Sequence, residues 1–330
     1  MISFRGRVLI AGGAGFLGSH LSTRFIRDNW EVVCVDNLST GRLANIAHLE
    51  GHAAFHAEIT DASNLPTPPG SFDAILHFAS PASPADFGRL SKEILAANSL
   101  ATIRLLEIAR EKECRFLFAS SSAVYGAPEV HPQDEGYCGR VDPVGPRSVY
   151  DEAKRFGESI SMAYYQSHNI DVRIARIFNT FGERMRIDDE RAVPKLVRQA
   201  VLGLPVTVTG NGKQTRSFMY VEDLVEGVLA LLNSTYRQPI NLGNPEEISL
   251  LCLAEVIKEI AGSKSPIIFV PRPSGDPERR CPDIHKAQSA LNWDPKYDVR
   301  KGLAKMVQWF RDSSTLEAQG LLQDWRGACR

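Results

Sequence analysis

Tyr150 and Lys154 are four residues apart in the segment YDEAK. On a helix this spacing places both side chains on one face. A neighbouring ammonium group favours phenolate, and a phenolate near neutral pH can act as a general base on a substrate hydroxyl. We therefore predict that Lys154 lowers the pKa of Tyr150 and that Tyr150 exchanges a proton with the substrate. The same spacing also occurs in surface pairs without chemistry, so the surrounding segments must decide.

A run of serines precedes this pair in the segment RFLFASSSAVYG, residues 115–126. The apolar run RFLFA is typical of a buried parallel strand, and it ends in small hydroxyl residues. Such a strand end would present Ser121 or Ser122 to the substrate atom that Tyr150 reaches. The sequence thus predicts a Ser-Tyr-Lys site, with Ser121 as the better candidate.

A glycine-rich loop, GGAGFLG, supplies Gly12, Gly15 and Gly18 between an apolar strand and a helical segment. This order allows a pyrophosphate to lie on the N–H groups at the start of the helix. The next strand ends in Asp36, whose carboxylate can bind both ribose hydroxyls and would repel a 2′-phosphate. We therefore predict NAD rather than NADP. Asp61, after the following strand, is either an adenine contact or an ordinary turn cap.

The elements that must position these residues alternate along the first half of the chain. Short apolar runs such as RVLIA, EVVCVD and FDAILHFA alternate with helical segments, which predicts a doubly wound parallel sheet of the Rossmann type. Beyond about residue 178 the elements become shorter. We predict a Rossmann domain over residues 1–178 and a smaller mixed α/β domain, which binds the substrate, over residues 179–330, with interleaved segments.

Composition narrows the possible partners of the 330-residue chain. Lys and Arg number 38 against 39 Asp and Glu, which gives a net charge of −1 and argues against nucleic-acid or membrane-surface binding. The six cysteines contain no C-x-x-C pair, and neither they nor His77 and His131 have metal-ligand spacing. No run approaches the length of a membrane span, and glycines interrupt the first apolar stretch. We predict a cytoplasmic protein without a bound metal.

Several long segments, from GGAGFLG to PDIHKA, resemble the extended short-chain dehydrogenase/reductases that act on nucleotide sugars. The segments 78–84, 128–155, 175–185, 212–224 and 241–247 are most similar to UDP-glucuronate decarboxylases, which form UDP-xylose. The resemblance implies a UDP-sugar substrate, a homodimer and a tightly held NAD that is reduced and reoxidised within one turnover. Tyr150 would take the proton of the C4 hydroxyl, Ser121 would position that oxygen, and Lys154 would hold Tyr150 and the nicotinamide ribose.

The resemblance also assigns further residues to the two ligands. Those expected beside NAD, in addition to the motif residues above, are Phe16, Leu17, Asn37, Ala79 and Asn98. Those expected beside the UDP-sugar are Ser80, Pro81, Asn179, Arg191, Arg216 and Arg280. Among these, Asn179 and Arg280 would contact the diphosphate, and Arg191 and Arg216 anionic groups of the substrate.

One position departs from the family pattern. Ala123 stands where decarboxylases and 4,6-dehydratases carry a Glu suited to moving a proton at C5. The loss argues most strongly against 4,6-dehydration and less against decarboxylation, and it leaves C4 epimerisation unaffected. The main prediction is a UDP-glucuronate decarboxylase. The alternatives are a UDP-sugar 4-epimerase and an inactive NAD-binding sensor of nucleotide sugars.

Overall fold

The computed structural model describes residues 4–272 and 278–312 of the chain. The strands and helices are, in chain order, β1 (Arg7–Ala11), α1 (Phe16–Arg27), β2 (Glu31–Asp36), β3 (Phe55–Ile59), β4 (Ala74–His77), α2 (Asp86–Arg89), α3 (Ser91–Asn98), α4 (Leu100–Glu111), β5 (Arg115–Ser121), α5 (Ser148–His168), β6 (Val172–Ile177), β7 (Thr180–Phe181), α6 (Ala192–Val201), β8 (Val206–Thr209), β9 (Thr215–Ser217), β10 (Met219–Tyr220), α7 (Val221–Asn233), β11 (Ile240–Leu242), β12 (Glu247–Ser249), α8 (Leu250–Ile260), β13 (Ile267–Val270), β14 (Arg279–Arg280), α9 (His285–Leu291) and α10 (Val299–Arg311).

Seven parallel strands form the central sheet in the order β11-β6-β5-β4-β1-β2-β3. The predicted Rossmann-type α/β fold is therefore confirmed. The strand order reverses between β1 and β4, and in such sheets ligands bind outside the carboxyl ends of the strands at this point. The glycine loop, Asp36 and the serine run all lie at that edge because each directly follows or ends one of these strands.

Both faces of the sheet are covered, which explains why its strands are nearly continuous apolar runs. One face packs against α1, α7 and α9, for example through Phe25, Val228 and Ala287. The other face packs against α4 and α5, for example through Leu105 and Ile160. The sheet edge that carries the site is thus fixed from both sides.

The helical segment over residues 95–112 is divided in the structure. Its first residues belong to α3, which ends at Asn98, and α4 begins at Leu100. Ser99 lies between them with a distorted backbone (φ −115°, ψ −77°), and its hydroxyl donates to the carbonyl of Leu95. A serine hydroxyl that bonds back to the preceding turn competes with the helical ladder and bends it.

The two halves of the chain interlock. The expected boundary lies at residue 178, yet β11 pairs with β6 and completes the central sheet from the second half. A separate apolar core in the second half joins α6, α8 and α10 to β8. The second half thus contributes both to the central sheet and to a core of its own.

None of the described helices combines the length and apolarity that crossing a membrane requires. Among the same residues, no cluster of three or more His, Cys, Asp or Glu side chains could hold a metal ion. Five cysteines of the described part carry free thiols, and Cys329 lies outside the described residues.

Candidate active site

A single elongated cavity of about 900 Å³ lies along the carboxyl ends of β1 to β6. Every residue that the sequence assigns to NAD or substrate lines this cavity, except Asn98. The fold therefore brings residues from position 12 to position 280 into one site.

The glycine loop fits a pyrophosphate closely. Gly12 has a positive φ of 80°, and a side chain there would meet the backbone nitrogen of Ala79 at 2.6 Å. A Cβ on Gly18 would lie 2.0 Å from the carbonyl oxygen of Gly12. Only glycine leaves this space open at the start of α1, where backbone N–H groups and the helix dipole favour an anion.

Asp36 ends β2 beside this loop with little exposed surface. Its Oδ2 accepts a hydrogen bond from the Ala14 N–H at 3.0 Å, and its Oδ1 accepts one from the Leu38 N–H at 2.8 Å. Burial raises the pKa of Asp36, and these backbone donors oppose that effect. The carboxylate is held rigidly in the cavity wall, in the place where the adenosine ribose hydroxyls of NAD would bind.

Asp61 is a turn cap that also lines the cavity. It accepts hydrogen bonds from the backbone and hydroxyl of Ser63, and it accepts a 2.8 Å hydrogen bond from the side-chain amide of Asn37. Hydrogen bonds from Ser63 and Asn37 lower its pKa although burial acts against them. The structure thus supplies the capping function directly, and an adenine contact at Asp61 stays a prediction.

Asn98 does not reach the cavity wall. It is fully buried, and its amide donates to the hydroxyl of Ser80 and to the carbonyl of Ile94, both at 2.8 Å. These bonds use the amide nitrogen, while the side-chain oxygen Oδ1 has no hydrogen-bond partner in the described part of the chain, so a contact of Asn98 with NAD stays a prediction. Asn98 fixes Ser80, which does line the cavity.

Tyr150 lies in the first turn of α5, facing Ser121 at the end of β5. A hydrogen bond between Ser121 and Tyr150 acts to lower the pKa of the phenol, as do the charges of Arg191 and Arg147. The Ser121 hydroxyl also accepts a 3.2 Å bond from the Ala123 N–H, which caps the turn after β5. The strand end and the helix start therefore bring together the predicted serine and tyrosine.

The electrostatic effect of Lys154 differs from the expectation. Burial raises the pKa of Tyr150, and Lys154 is not among the groups that oppose the rise. Burial also lowers the pKa of Lys154 to about 7, while its ammonium donates to the Ala119 carbonyl at 2.8 Å. The spacing predicts that the two groups are close, but it does not reveal that both are desolvated, which disfavours their charged forms.

The remaining predicted substrate residues lie on the second half of the cavity. Asn179 donates to the Ser217 carbonyl at 3.2 Å. Arg191 donates to both carboxylate oxygens of Asp189, Arg216 donates to the Thr215 and Glu278 carbonyls, and Arg280 donates to the Gly126 carbonyl. All three guanidinium groups are thus oriented by protein acceptors at the cavity wall.

Phe87 and Arg147 are two of the cavity residues that were not identified from the sequence. The ring of Phe87, from α2, stacks on the ring of Tyr150 with centroids 5.1 Å apart and an interplanar angle of 14°. The guanidinium of Arg147 lies 5.4 Å from the Phe87 centroid. Arg147 could have been found, because it precedes Tyr150 by three residues. No local pattern identifies Phe87, which is distant in sequence.

Ala123 belongs to the same apolar cluster as Phe87, Ile94, Tyr150 and Ala153. It is 1% exposed. A carboxyl group at this position would be buried among these side chains, where the charged form is strongly disfavoured. Ala123, at the position where the decarboxylases carry Glu, therefore lies in an apolar part of the site.

Residues 8–243 match the sequence model of the NAD dependent epimerase/dehydratase family. This range contains the glycine loop, Asp36, the serine run and the Tyr-Lys pair. The chain belongs to this family.

Within the family, the chain is 46% identical over 315 residues to UDP-glucuronic acid decarboxylase 1 of Danio rerio, covering 96% of this chain and 74% of that protein. It is 45% identical over 317 residues to UDP-glucuronic acid decarboxylase 1 of Arabidopsis thaliana, covering 95% and 72%. Among solved structures, UDP-glucuronic acid 4-epimerase from Bacillus cereus, in complex with UDP-glucuronic acid and NAD, superposes with a TM-score of 0.83 at 27% identity. That match covers 93% of this chain and 99% of the epimerase.

The cofactor is NAD. The family requires it, and the open glycine loop and the carboxylate of Asp36 fit its pyrophosphate and its unphosphorylated ribose.

Proposed function

We propose that the chain converts UDP-glucuronate to UDP-xylose or a related UDP-pentose with release of carbon dioxide. The observation that carries this proposal is the 46% identity to a UDP-glucuronic acid decarboxylase over 96% of the chain. The cavity supports it, since one wall holds the residues suited to NAD and the other holds Ser121, Tyr150 and several arginines.

In this reaction Tyr150 removes the proton of the C4 hydroxyl and Ser121 holds the same oxygen by a hydrogen bond. When bound, NAD supplies the oxidation of C4 and later its reduction. Lys154, held by the Ala119 carbonyl, orients the nicotinamide ribose and the phenol. The arginines at the far wall, Arg216 and Arg280, hold the diphosphate, because guanidinium groups bind phosphate oxygens well.

Oxidation at C4 produces a β-keto acid. The C5–C6 bond then breaks, carbon dioxide leaves, and the electron pair moves into the C4 carbonyl as an enolate. Ser121 and Tyr150 stabilise the enolate oxygen through hydrogen bonds. Because the methyl group of Ala123 has no acidic proton to transfer, water protonates C5 in this proposal.

A second candidate function is C4 epimerisation of a UDP-sugar. Ala123 favours it, since epimerisation requires no proton at C5, and a UDP-glucuronic acid 4-epimerase is among the similar structures. The epimerase shares much less sequence identity than the decarboxylases do. A third candidate, a sensor that binds without reacting, does not explain why Ser121, Tyr150 and Lys154 are all present.

One incubation separates these candidates. Purified protein is mixed with UDP-glucuronate, with and without added NAD, and the products are followed by NMR and mass spectrometry, with Tyr150→Phe as the inactive control. A UDP-pentose and carbon dioxide are expected. An isomer of unchanged mass would identify an epimerase instead. Bound but unchanged UDP-glucuronate would contradict both enzyme functions and favour the sensor.

We also propose that the protein is a homodimer in the cytoplasm. Leu95, Leu100 and Phe156 are large exposed apolar residues on α3, α4 and α5, three helices that pack against one another. Such side chains are typical of a face that a second copy covers. Analytical ultracentrifugation should give twice the chain mass, and Leu100→Glu with Phe156→Glu should give the monomer. A monomeric unmodified protein would contradict the dimer. Fractionation of the source cells checks the location.

A further inference from the structure

A buried glutamate of α5 has no part in the proposed chemistry, yet it is bonded to the strand that carries Ser121. Glu158 is 9% exposed, and its Oε1 accepts a 2.6 Å hydrogen bond from the Ser120 hydroxyl. Arg176, which lies opposite Ser120 on β6, donates to both carboxylate oxygens of Glu158 at 2.9 and 2.8 Å. Charge-assisted bonds of this bidentate kind are among the strongest hydrogen bonds in proteins. These three side chains therefore join α5, β5 and β6 beside the site.

Lys154 makes a second connection between α5 and β5. It precedes Glu158 by one helical turn, so both side chains lie on one face of the helix. Its ammonium donates to the Ala119 carbonyl at 2.8 Å. Between the two, Gly157 allows a close approach, because a Cβ there would lie 2.1 Å from the ring of Phe118. The helix is thus held tightly against the last residues of the strand.

Arg176 extends these contacts to the turn that follows β5. Its Nη1 donates to the Tyr125 hydroxyl at 3.0 Å, and that hydroxyl donates to Asn241 on β11 at 2.7 Å. Tyr125 ends the turn that Ser121 caps. Buried polar contacts that are satisfied in this way restrain the groups they join. The strand end and the turn are therefore fixed on both sides of Ser121.

These contacts affect the reacting pair because Tyr150 and Ser121 lie on the same two elements. Tyr150 precedes Glu158 by about two helical turns, and Ser121 directly follows Ser120. Proton transfer requires both hydroxyls within hydrogen-bond reach of the sugar oxygen. A displacement of about 1 Å can lower the rate about a hundredfold. A helix and a strand joined at this point keep the required distance.

We propose that Glu158 is a positioning residue of the reaction: through Ser120 it fixes the end of β5 and holds Ser121 at the distance that Tyr150 requires. The inference rests on the proposed function, because it assumes that Ser121 and Tyr150 act on the C4 oxygen. It applies equally to decarboxylation and epimerisation, since both begin with oxidation at C4. Glu158 is not among the residues that line the cavity, so it acts only through its neighbours.

Ser120→Ala is the most specific test, because it removes the bond to Glu158 and leaves the pair of Glu158 and Arg176 intact. Product NMR gives kcat and KM for UDP-glucuronate. We expect kcat to fall by about tenfold to a hundredfold, with KM and the amount of bound NAD almost unchanged. Glu158→Ala should give a similar loss, and the double variant no more than either change alone. If Glu158→Ala folds poorly because Arg176 loses its carboxylate, Ser120→Ala alone decides.

Coupling to Ser121 is the measurement that a purely structural role would not change. In a Ser121→Ala background, Ser120→Ala should lower kcat by less than about twofold, because no Ser121 hydroxyl is left to position. Arg173→Met is the matched control at the opposite end of β6. Arg173 is a buried arginine, 2% exposed and paired with Asp171, so its loss should lower stability and leave kcat unchanged.

Three results would overturn the assignment: an unchanged kcat in Ser120→Ala, an equal loss in the Ser121→Ala background, or an equal loss in Arg173→Met. Hydrogen exchange of residues 119–126, measured by mass spectrometry without substrate, does not depend on turnover. Faster exchange in Ser120→Ala, in a protein that does not convert UDP-glucuronate, retires the proposed function and retains Glu158 as the group that fixes β5. Unchanged exchange together with product formation retires the role of Glu158 and retains the function.

Discussion

The two ends of the cavity are built in different ways. At the NAD end, the shape comes from backbone: glycines leave the space open, and Asp36 is fixed by backbone N–H groups within a few residues of the loop. At the sugar end, the shape comes from side chains of separate segments, such as the stack of Phe87 on Tyr150 and the Ser83–Asp189 hydrogen bond. The first end is common to a family with varied substrates, and the second can change chemistry through single side chains.

Tyr150→Phe should have the largest effect, because it should stop the chemistry at the sugar end and leave NAD binding at the other end unchanged. The variant lacks the proton-transferring hydroxyl, so kcat should fall by about 10²–10⁴-fold. NAD should stay bound, because the glycine loop and Asp36 are untouched. Product NMR and cofactor absorbance measure the two effects, with Tyr165→Phe on the same helix as the control. Full activity of Tyr150→Phe would remove Tyr150 from the proposed chemistry.

Gly18→Ala should damage the NAD end. The added methyl group would lie 2.0 Å from the Gly12 carbonyl oxygen, so the loop must move, at a cost of about 3 kcal/mol. We expect loss of bound NAD and a lower melting temperature. Gly88→Ala is the matched control, since nothing lies within 4 Å of its added Cβ. Unchanged NAD content in Gly18→Ala would show that the loop does not hold the cofactor.

Ala123→Glu tests how far side chains control the sugar end. This variant is expected to raise the amount of decarboxylated product. Because the carboxyl group would be buried against Phe87, the variant should also lose about 1–3 kcal/mol of stability. That cost should shrink in a Phe87→Ala background, where the space is open. Urea unfolding of the unmodified protein, the two single variants and the double variant gives the coupling between the two positions.

Product yields from the same variants test the chemistry. If C5 protonation limits the reaction, Ala123→Glu with Phe87→Ala should raise the fraction of UDP-pentose above that of Phe87→Ala. Ala123→Gln, which has the shape but no acidic proton, is the control. Equal yields from Glu and Gln would exclude Ala123 as the limiting feature.

Lys154→Met tests the junction of the two ends through stability rather than through turnover. The pKa of Lys154 is about 7 in the fold against 10.5 for a free amine, so the unfolded chain binds the proton first as pH falls. The lysine therefore destabilises the fold below pH 10.5, most fully below about pH 7. In NAD-free protein, Lys154→Met should therefore be more stable than the unmodified protein, and by more at pH 7 than at pH 10.

Urea unfolding at the two pH values checks this prediction. A pH-independent difference between Lys154→Met and the unmodified protein would show that Lys154 keeps an ordinary pKa. Lys258→Met, at a lysine of α8 away from the cavity, is the control.

The NAD end could be predicted almost entirely because its determinants are local. The segments that carry Gly12, Gly18 and Asp36 follow one another as strand, loop, helix and strand, and this order can be recognised in the sequence. The Rossmann fold followed from the same alternation. The hydrogen bond from Asn98 to Ser80 could not be predicted, because it joins two separate segments.

The sugar end was predicted only in part. Ser121 and Tyr150 were found from a strand end and a helical spacing. The bond from Ser83 to Asp189 spans 106 residues, and Phe87 meets Tyr150 from a distant segment, so no local pattern records these contacts. The pKa direction of Tyr150 was wrong because it depends on burial, which spacing does not encode.

The pairing of β11 with β6 has a consequence for biosynthesis. The last strand of the central sheet is translated after more than two thirds of the chain, so until then β6 has an unpaired edge. Exposed edges of this kind recruit other strands and promote aggregation. A fragment that stops at residue 178 should therefore precipitate, and ribosome-bound chains should need protection at this edge until residues 240–242 have emerged.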